Sequence, residues 1–310
     1  EKVVLMDNSE YNLYNIHLEL SGEKPLVEIV SSLCTVTNYY QLKQVLLKNK
    51  IHTIYHAAAY KHVPMVEMNI VSGTYNNVIG TYNVAKLADE LGVENMVLIS
   101  SDKAVRPTNV MGASKRMSEL ILQAFADKSK CCFSMVRFGN VLDSAGSVVP
   151  LFRNQIKAGG PVTVTHRNIT RYFMSIPEAV ELVLQSGAMA KGGDVFVLDM
   201  GEPIKIIDLA YKMIHLSGLT PIDNANPDGD IRIEFTGLRP GEKLYEELLI
   251  GSDVVQSEHP RIMQAKEGYL SFDDVLHCVN VIKSARENQD EKVVKELLLK
   301  YIDGYTSEIV

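Results

Sequence analysis

Apolar positions in this chain fall into short, nearly unbroken runs separated by longer stretches with helical spacing. Runs at about 2–6, 26–31, 53–58, 95–100 and 131–138 are largely apolar on successive residues, as strands buried on both faces are. Between them the spacing predicts helices over about 9–20, 38–48, 65–91 and 110–127. Such strand–helix alternation builds an α/β fold, a doubly wound parallel sheet of Rossmann-like type. After Asn140 the regularity weakens, because Gly146, Pro150, Gly159, Gly160, Pro161 and Pro177 cut the chain into short elements. Helical spacing returns at about 177–190, 204–217, 241–249 and 290–302. Three parts are expected: a dinucleotide-binding domain at 1–140, a smaller α+β substrate lobe at 141–270 with some segments returning to the sheet, and a C-terminal helical extension at 271–310.

Composition narrows the classes. With 310 residues and 46% apolar content the chain can bury a large core. Its 31 basic against 38 acidic residues give a net charge of −7, and no basic stripe offers a surface to nucleic acid. Cys34, Cys131, Cys132 and Cys278 form no Cys-x-x-Cys pair and read as reduced core residues of a cytoplasmic protein. No His, Cys, Asp and Glu spacing suggests a metal site. No run reaches the roughly 18 apolar residues of a membrane span, and no signal-peptide pattern opens the chain. The first strand already ends in Asp7, the first glycine is Gly22, and no Gly-x-x-Gly-x-x-Gly occurs. The first βα unit of a dinucleotide-binding fold is therefore expected to lie before residue 1.

Candidate chemistry sits at strand ends, where open α/β sheets bind ligands. The run Asn95–Ile99 delivers Ser100, Ser101, Asp102 and Lys103 to such an end, and a helical pattern beyond it opens with Met111-x-x-x-Lys115. Asp7 suits a ribose hydroxyl and opposes a 2′-phosphate, or else caps the next helix. Thr35 and Val36 follow the second strand and fit an adenine contact or a plain turn. Ala57, Ala58 and Ala59 let backbone approach a cofactor closely, and Lys61 and His62 follow as a polar cluster past the strand end. Asn140, Ser147 and Val148 lie on a segment able to hydrogen-bond a sugar. Arg171 and Arg239, the latter leading into Pro240-Gly241-Glu242-Lys243, supply cations for a diphosphate.

Taken together, Ala57–Pro64, Ser100–Ala104, Arg137–Val141 and Arg239–Leu244 resemble the nucleoside-diphosphate-sugar dehydratases of the extended short-chain dehydrogenase superfamily. The resemblance is to the bacterial UDP-N-acetylglucosamine 4,6-dehydratases of surface polysaccharide and glycan biosynthesis. Short-chain dehydrogenases carry Tyr-x-x-x-Lys where this chain has Met111 and Lys115, and the Met form resembles the large members whose catalytic domain follows transmembrane helices. The resemblance implies a lyase and a homo-oligomer, with a membrane tether holding it to the cytoplasmic face of the inner membrane. It implies NAD or NADP, tightly bound and recycled, and a product that keeps its C5 configuration, UDP-2-acetamido-2,6-dideoxy-α-D-xylo-hexos-4-ulose. Lys103 would be the base at C5 and Asp102 the acid for the departing C6 hydroxyl. Lys115 would hold the nicotinamide ribose and Ser101 would bond near the C4 oxygen. Asp7, Thr35, Val36, Ala57, Ala58, Ala59 and Lys115 would hold the cofactor. Lys61, His62, Asn140, Ser147, Val148, Arg171, Arg239 and Glu242 would hold the substrate. A thioether has no ionisable proton, so Met111 cannot act as acid or base. A UDP-N-acetylhexosamine 4-epimerase or a non-catalytic nucleotide-sugar sensor are the other readings of the same residues.

Overall fold

A computed structural model describes residues 1–23, 26–247 and 254–306 of the protein. The first part of the chain alternates β1 (Lys2–Asp7), α1 (Glu10–Gly22), β2 (Glu28–Leu33), α2 (Tyr39–Asn49), β3 (Thr53–His56), α3 (Val63–Glu67), α4 (Ile70–Thr74), α5 (Gly80–Leu91), β4 (Asn95–Ile99), α6 (Val110–Ala126) and β5 (Cys132–Arg137). The second runs through β6 (Asn140–Val141), α7 (Val148–Lys157), β7 (Val162–Val164), β8 (Thr170–Arg171), β9 (Phe173–Met174), α8 (Ile176–Met189), β10 (Asp194–Leu198), β11 (Ile204–Lys205), α9 (Ile206–Leu216), β12 (Pro221–Ile222), β13 (Ile231–Phe235), β14 (Val254–Gln256) and β15 (Ile262–Ala265). Two helices, α10 (Phe272–Asn288) and α11 (Glu291–Tyr301), follow.

The fold is the α/β, parallel-dominated architecture expected. Among the described residues the main sheet has the order β14-β15-β10-β5-β4-β3. Its β3, β4, β5 and β10 run parallel, and β15 and β14 add antiparallel at one edge. Because strand side chains alternate between faces, each central strand feeds two cores. Met96, Leu98, Phe133, Met135, Val195 and Val197 face α5, α6, α10 and α11, whereas Val97, Val136, Phe196 and Leu198 face α8. A third cluster, which includes Phe152, Val162, Val164, Ile206, Ala210, Ile214 and Ile231, is built from α7, β7, α9 and β13. Each fully buried side chain of this size contributes about 1.5–3 kcal/mol.

β1 and β2 pair in parallel from Lys2↔Glu28 to Asp7↔Leu33 but bond to no other strand among the described residues. A cavity of about 1480 Å³ is lined by both β1 and β3.

Three expectations need correction. The strand expected at 53–58 ends at His56, so Ala57 and Ala58 are loop. The helix expected over 65–91 is divided into α3, α4 and α5 by a break at Met68–Asn69 and a π-helical turn at Tyr75–Ile79, from which the Asn77 side chain reaches the loop after β3. The helix expected at 241–249 is absent over 241–247, where glutamate side chains reach to neighbouring strands, and its last two positions lie outside the described residues. The helix α7, from Val148 to Lys157, is a further element that the sequence reading did not identify.

Candidate active site

Where β4 ends, the chain is pinned to the end of β5: the Ser100 N–H donates to the Val136 carbonyl (2.8 Å) and the Asp102 N–H to that of Phe138 (3.1 Å). A single 3₁₀ turn, Asp102–Ala104, follows. Inside it the Ser101 hydroxyl donates to Asp102 Oδ1 (2.9 Å) and accepts from the Lys103 N–H (3.2 Å). Lys103 Nζ donates to the same Oδ1 at 3.1 Å. Asp102 is 1% exposed, and its Oδ2 has no hydrogen-bond partner among the described residues. That oxygen lies against Gly139, where a Cβ would stand 3.3 Å from it, and a buried carboxylate oxygen left without a partner calls for a proton or a donor. Ser101, Asp102 and Lys103 thus bond one another within this one turn.

The Lys103 side chain, 22% exposed, lines a cavity of about 250 Å³. Seven of the eight residues read as substrate-binding line it too: Lys61, His62, Asn140, Val148, Arg171, Arg239 and Glu242. Ser147 lies between two lining residues, Gly146 and Val148, and its buried hydroxyl has no partner among the described residues. Burial pulls the Lys103 ammonium down, but Asp102 and Glu246 outweigh it and hold the group above the ordinary lysine range. Burial and then Lys61 push His62 below the ordinary histidine value.

The cations of this cavity are not all open. Arg171, expected at a diphosphate, pairs with Glu242 (Nη2 to Oε1, 3.3 Å) and Glu246 (Nε to Oε1, 3.4 Å). Glu242 also accepts from the Arg239 N–H and the Thr165 hydroxyl, so here its carboxylate organises its own loop. Arg239 is exposed and makes no ion pair among the described residues. The loop is fastened by Gly241, whose carbonyl accepts from Thr108 Oγ1 (2.9 Å) and Asn109 Nδ2 (3.1 Å). At φ +72°, a Cβ there would stand 2.8 Å from that of Asn109, so only glycine fits.

Six of the seven residues read as cofactor-binding, Asp7, Thr35, Val36, Ala57, Ala58 and Ala59, line the larger cavity between β1 and β3. Asp7 is not the helix cap. Ser9 is, and the Asp7 Oδ1 accepts the Ser9 N–H at 2.7 Å. Thr35 is in a turn in which its hydroxyl bonds that of Thr37 (2.9 Å), and Val36 is buried. Tyr60 borders the larger cavity and Lys61 the smaller, so the two flank one loop.

Lys115 is not among the residues lining either cavity; its Nζ donates to the Ile99 carbonyl (2.9 Å) at the end of β4. Burial lowers its pKa to about 8, and burial followed by the Lys115 charge lowers that of His56 to about 3, leaving that imidazole neutral. Met111 is 2% exposed and belongs to the main core, where a tyrosine hydroxyl would need a buried partner.

Three residues of the site escaped the sequence reading. Asn77 accepts the Tyr60 N–H (2.7 Å) and donates to the Tyr60 carbonyl (3.0 Å) and Ser114 Oγ (2.9 Å), tying the alanine loop to α6. Its signal was a polar pair, Asn76-Asn77, inside an apolar helical pattern. Glu119, one turn after Lys115, is wholly buried and accepts from Ser100 Oγ (2.6 Å), Arg137 Nε (2.7 Å) and Arg116 Nη1 (2.9 Å). Glu246 has no local signal.

Among the described residues no cluster of three or more His, Cys, Asp or Glu side chains is arranged to hold a metal ion, and no helix is long and apolar enough to cross a membrane.

Comparison with known proteins places the chain among relatives. "Capsular polysaccharide biosynthesis protein CapD" of Staphylococcus aureus is 51% identical over 270 residues, 86% of this chain and 43% of that protein. The chain thus spans less than half the length of that relative. The solved structure of Pen from Bacillus thuringiensis is 32% identical with a TM-score of 0.76, over 88% of this chain and 81% of that one. DesIV of Streptomyces venezuelae, a dTDP-glucose 4,6-dehydratase solved with NAD and TYD bound, shares the fold at a TM-score of 0.71 and 20% identity, over 93% of this chain and 88% of its own. The family model described as polysaccharide biosynthesis protein matches residues 1–267, and the chain belongs to that family.

Proposed function

We propose that this protein is a nucleotide-sugar 4,6-dehydratase that removes water from UDP-N-acetylglucosamine, with NAD as a retained cofactor, in the making of a surface polysaccharide. The observation that carries the reading is Lys103 on the wall of a cavity also lined by Lys61, Arg171 and Arg239, bonded to the buried Asp102 behind it, whose Oδ2 has no partner among the described residues. An epimerase needs no adjacent acid and base at C5 and C6.

One end of the larger cavity, where β1 and β3 finish, suits a dinucleotide: Ala57, Ala58 and Ala59 leave the backbone approachable, and Asp7 ends β1 where a ribose hydroxyl is accepted and a 2′-phosphate repelled. Residues 1–140 hold the cofactor in this reading, and residues from the 141–270 lobe close over the sugar. A nicotinamide held there would supply a hydride acceptor for C4 and give the same hydride back at C6, so that C4 is a ketone while the C5–H and C6–O bonds are broken.

The chain's own groups handle the protons. Asp102, as carboxylate, takes the C4 hydroxyl proton at Oδ2, with Ser101 bonding the nearby oxygen. Lys103, as free amine, takes the C5 proton, which the adjoining ketone makes acidic. Asp102 then gives its proton to the C6 oxygen, which leaves as water. Lys103 returns its proton to C5 from the face it took it from, so configuration there is kept. Lys115, reaching from α6 to the end of β4, adds positive potential for the developing alkoxide and would leave the Ile99 carbonyl to hold the cofactor's ribose. Arg239 and Arg171 take the diphosphate.

Incubating the full-length protein with UDP-N-acetylglucosamine and following the sugar nucleotide by mass spectrometry tests this reading. Loss of one water with a 4-keto product supports it. Formation of the C4 epimer at unchanged mass selects the epimerase, and tight binding without turnover selects the sensor.

A further inference from the structure

Glu246 is the least exposed carboxylate in the loop that closes the smaller cavity, with its side chain 4% exposed. One oxygen, Oε1, receives two cations: Lys103 Nζ at 3.3 Å and Arg171 Nε at 3.4 Å. Lys103 is therefore gripped between Asp102 Oδ1, on its own turn, and Glu246, on a distant loop. Arg171 is gripped between Glu246 and Glu242. The remaining charged groups on the cavity wall are Lys61, His62, Arg239 and Lys243. Lys243 is held elsewhere, donating to the Val105 carbonyl and pairing with Glu247.

We propose that Glu246 is a positioning residue that fixes both the place and the charge of Lys103, and that it competes with the ligand's diphosphate for Arg171. The proposal rests on the reading of Lys103 as the base at C5. A lysine between two carboxylates keeps its proton to higher pH than one beside a single carboxylate. Burial alone would lower Lys103, and it is Asp102 and Glu246 together that reverse the sign. Before it accepts the C5 proton, Lys103 must give its own to solvent, so turnover rises with pH through the lysine's titration. Removing the Glu246 charge moves that titration to lower pH. It also removes one of the two anions that hold Arg171 away from a phosphate.

The test is a pair of variants, Glu246→Gln and Glu246→Asp, with the full-length protein and UDP-N-acetylglucosamine. In Glu246→Gln the acid limb of kcat/KM is expected to move down by about one pH unit, which is about a ten-fold gain in neutral amine below the limb, and KM is expected to fall. Glu246→Asp keeps the charge and is expected to keep the wild-type limb. A purely structural role would raise KM in both variants and leave the limb in place, and that result overturns the proposal. Lys103→Ala in heavy water separates this from the underlying reading. If C5 still exchanges without Lys103, the base assignment fails and takes the proposal with it. If exchange is lost but the Glu246→Gln limb has not moved, the Glu246 proposal alone fails.

Discussion

Gly112, in the first turn of α6, lies directly against the backbone of Lys103: a Cβ at residue 112 would stand 2.2 Å from the Lys103 carbonyl oxygen and 3.2 Å from Pro107 Cβ. The helix start and the Asp102–Lys103 turn are thereby locked at a spacing that no side chain allows. Asn109, the cap of α6, accepts the Gly112 N–H at 2.8 Å, and Glu67 accepts that of Val110 at 2.6 Å, so the helix cannot easily retreat. Gly112→Ala is therefore expected to push the Lys103 turn outward. Overpacking of this kind costs about 1–3 kcal/mol. A lower urea midpoint together with a fall in kcat is expected, and unchanged kcat would show that the turn tolerates displacement.

Why Ser100–Lys103 was legible and Glu246 was not follows from range. The turn is announced by the apolar run Asn95–Ile99 directly before it, and strand ends are where α/β chemistry sits. The alternation of short apolar runs with helical spacing was enough to find β1 through β5, although burial on both faces holds only for β4 and β5, and β1, β2 and β3 keep exposed positions. The stretch expected over 65–91 is helical but interrupted, and its π-helical turn holds Asn77, which bonds Tyr60, a contact outside any local pattern. Arg171 was read as an open cation because arginine chemistry is local, whereas its partners Glu242 and Glu246 arrive from a remote loop.

Ser100 also carries a link to the core. Its hydroxyl binds Glu119, which with Arg116, Arg137 and Glu267 forms a buried ion network. Burial pushes the Glu119 carboxyl up, but Arg137 foremost, with Arg116 and the Ser100 hydroxyl, holds it at about 2. Its folded value is depressed, so the stability it contributes is present above the ordinary glutamate range and is lost as pH falls through about 2. Urea midpoints measured from pH 6 to 2 are expected to fall less steeply in Glu119→Gln than in the wild type. At pH 7 that variant should be less stable by about 3–5 kcal/mol, the usual consequence of breaking a buried pair from one side. Parallel pH profiles would show that Glu119 is not the group being protonated.

Arg239→Ala is expected to weaken UDP-sugar binding without slowing bound-state chemistry, since diphosphate oxygens do not react. A charge-assisted hydrogen bond contributes roughly 1.5–3 kcal/mol, so apparent affinity should fall about 10- to 150-fold. Equilibrium binding and single-turnover rates separate the two effects. Unchanged binding with lost turnover would remove Arg239 from the diphosphate site.

Met111→Tyr is not expected to raise activity. The side chain is packed in the main core and 2% exposed, so a ring adds volume where there is none to spare, and its phenol, with an ordinary pKa of about 10, would need a buried partner. A several-fold gain in kcat would mean that the methionine is a simple defect and that Asp102 does not take the C4 hydroxyl proton.

The most direct test of the dehydratase account is to follow the hydrogen at C4. UDP-N-acetylglucosamine deuterated at C4, turned over by the full-length protein in ordinary water, should yield a 4-keto product with the deuterium in its C6 methyl group and protium at C5. Deuterium retained at C4 in an epimerised sugar, or lost to solvent with no C6 label, would contradict it.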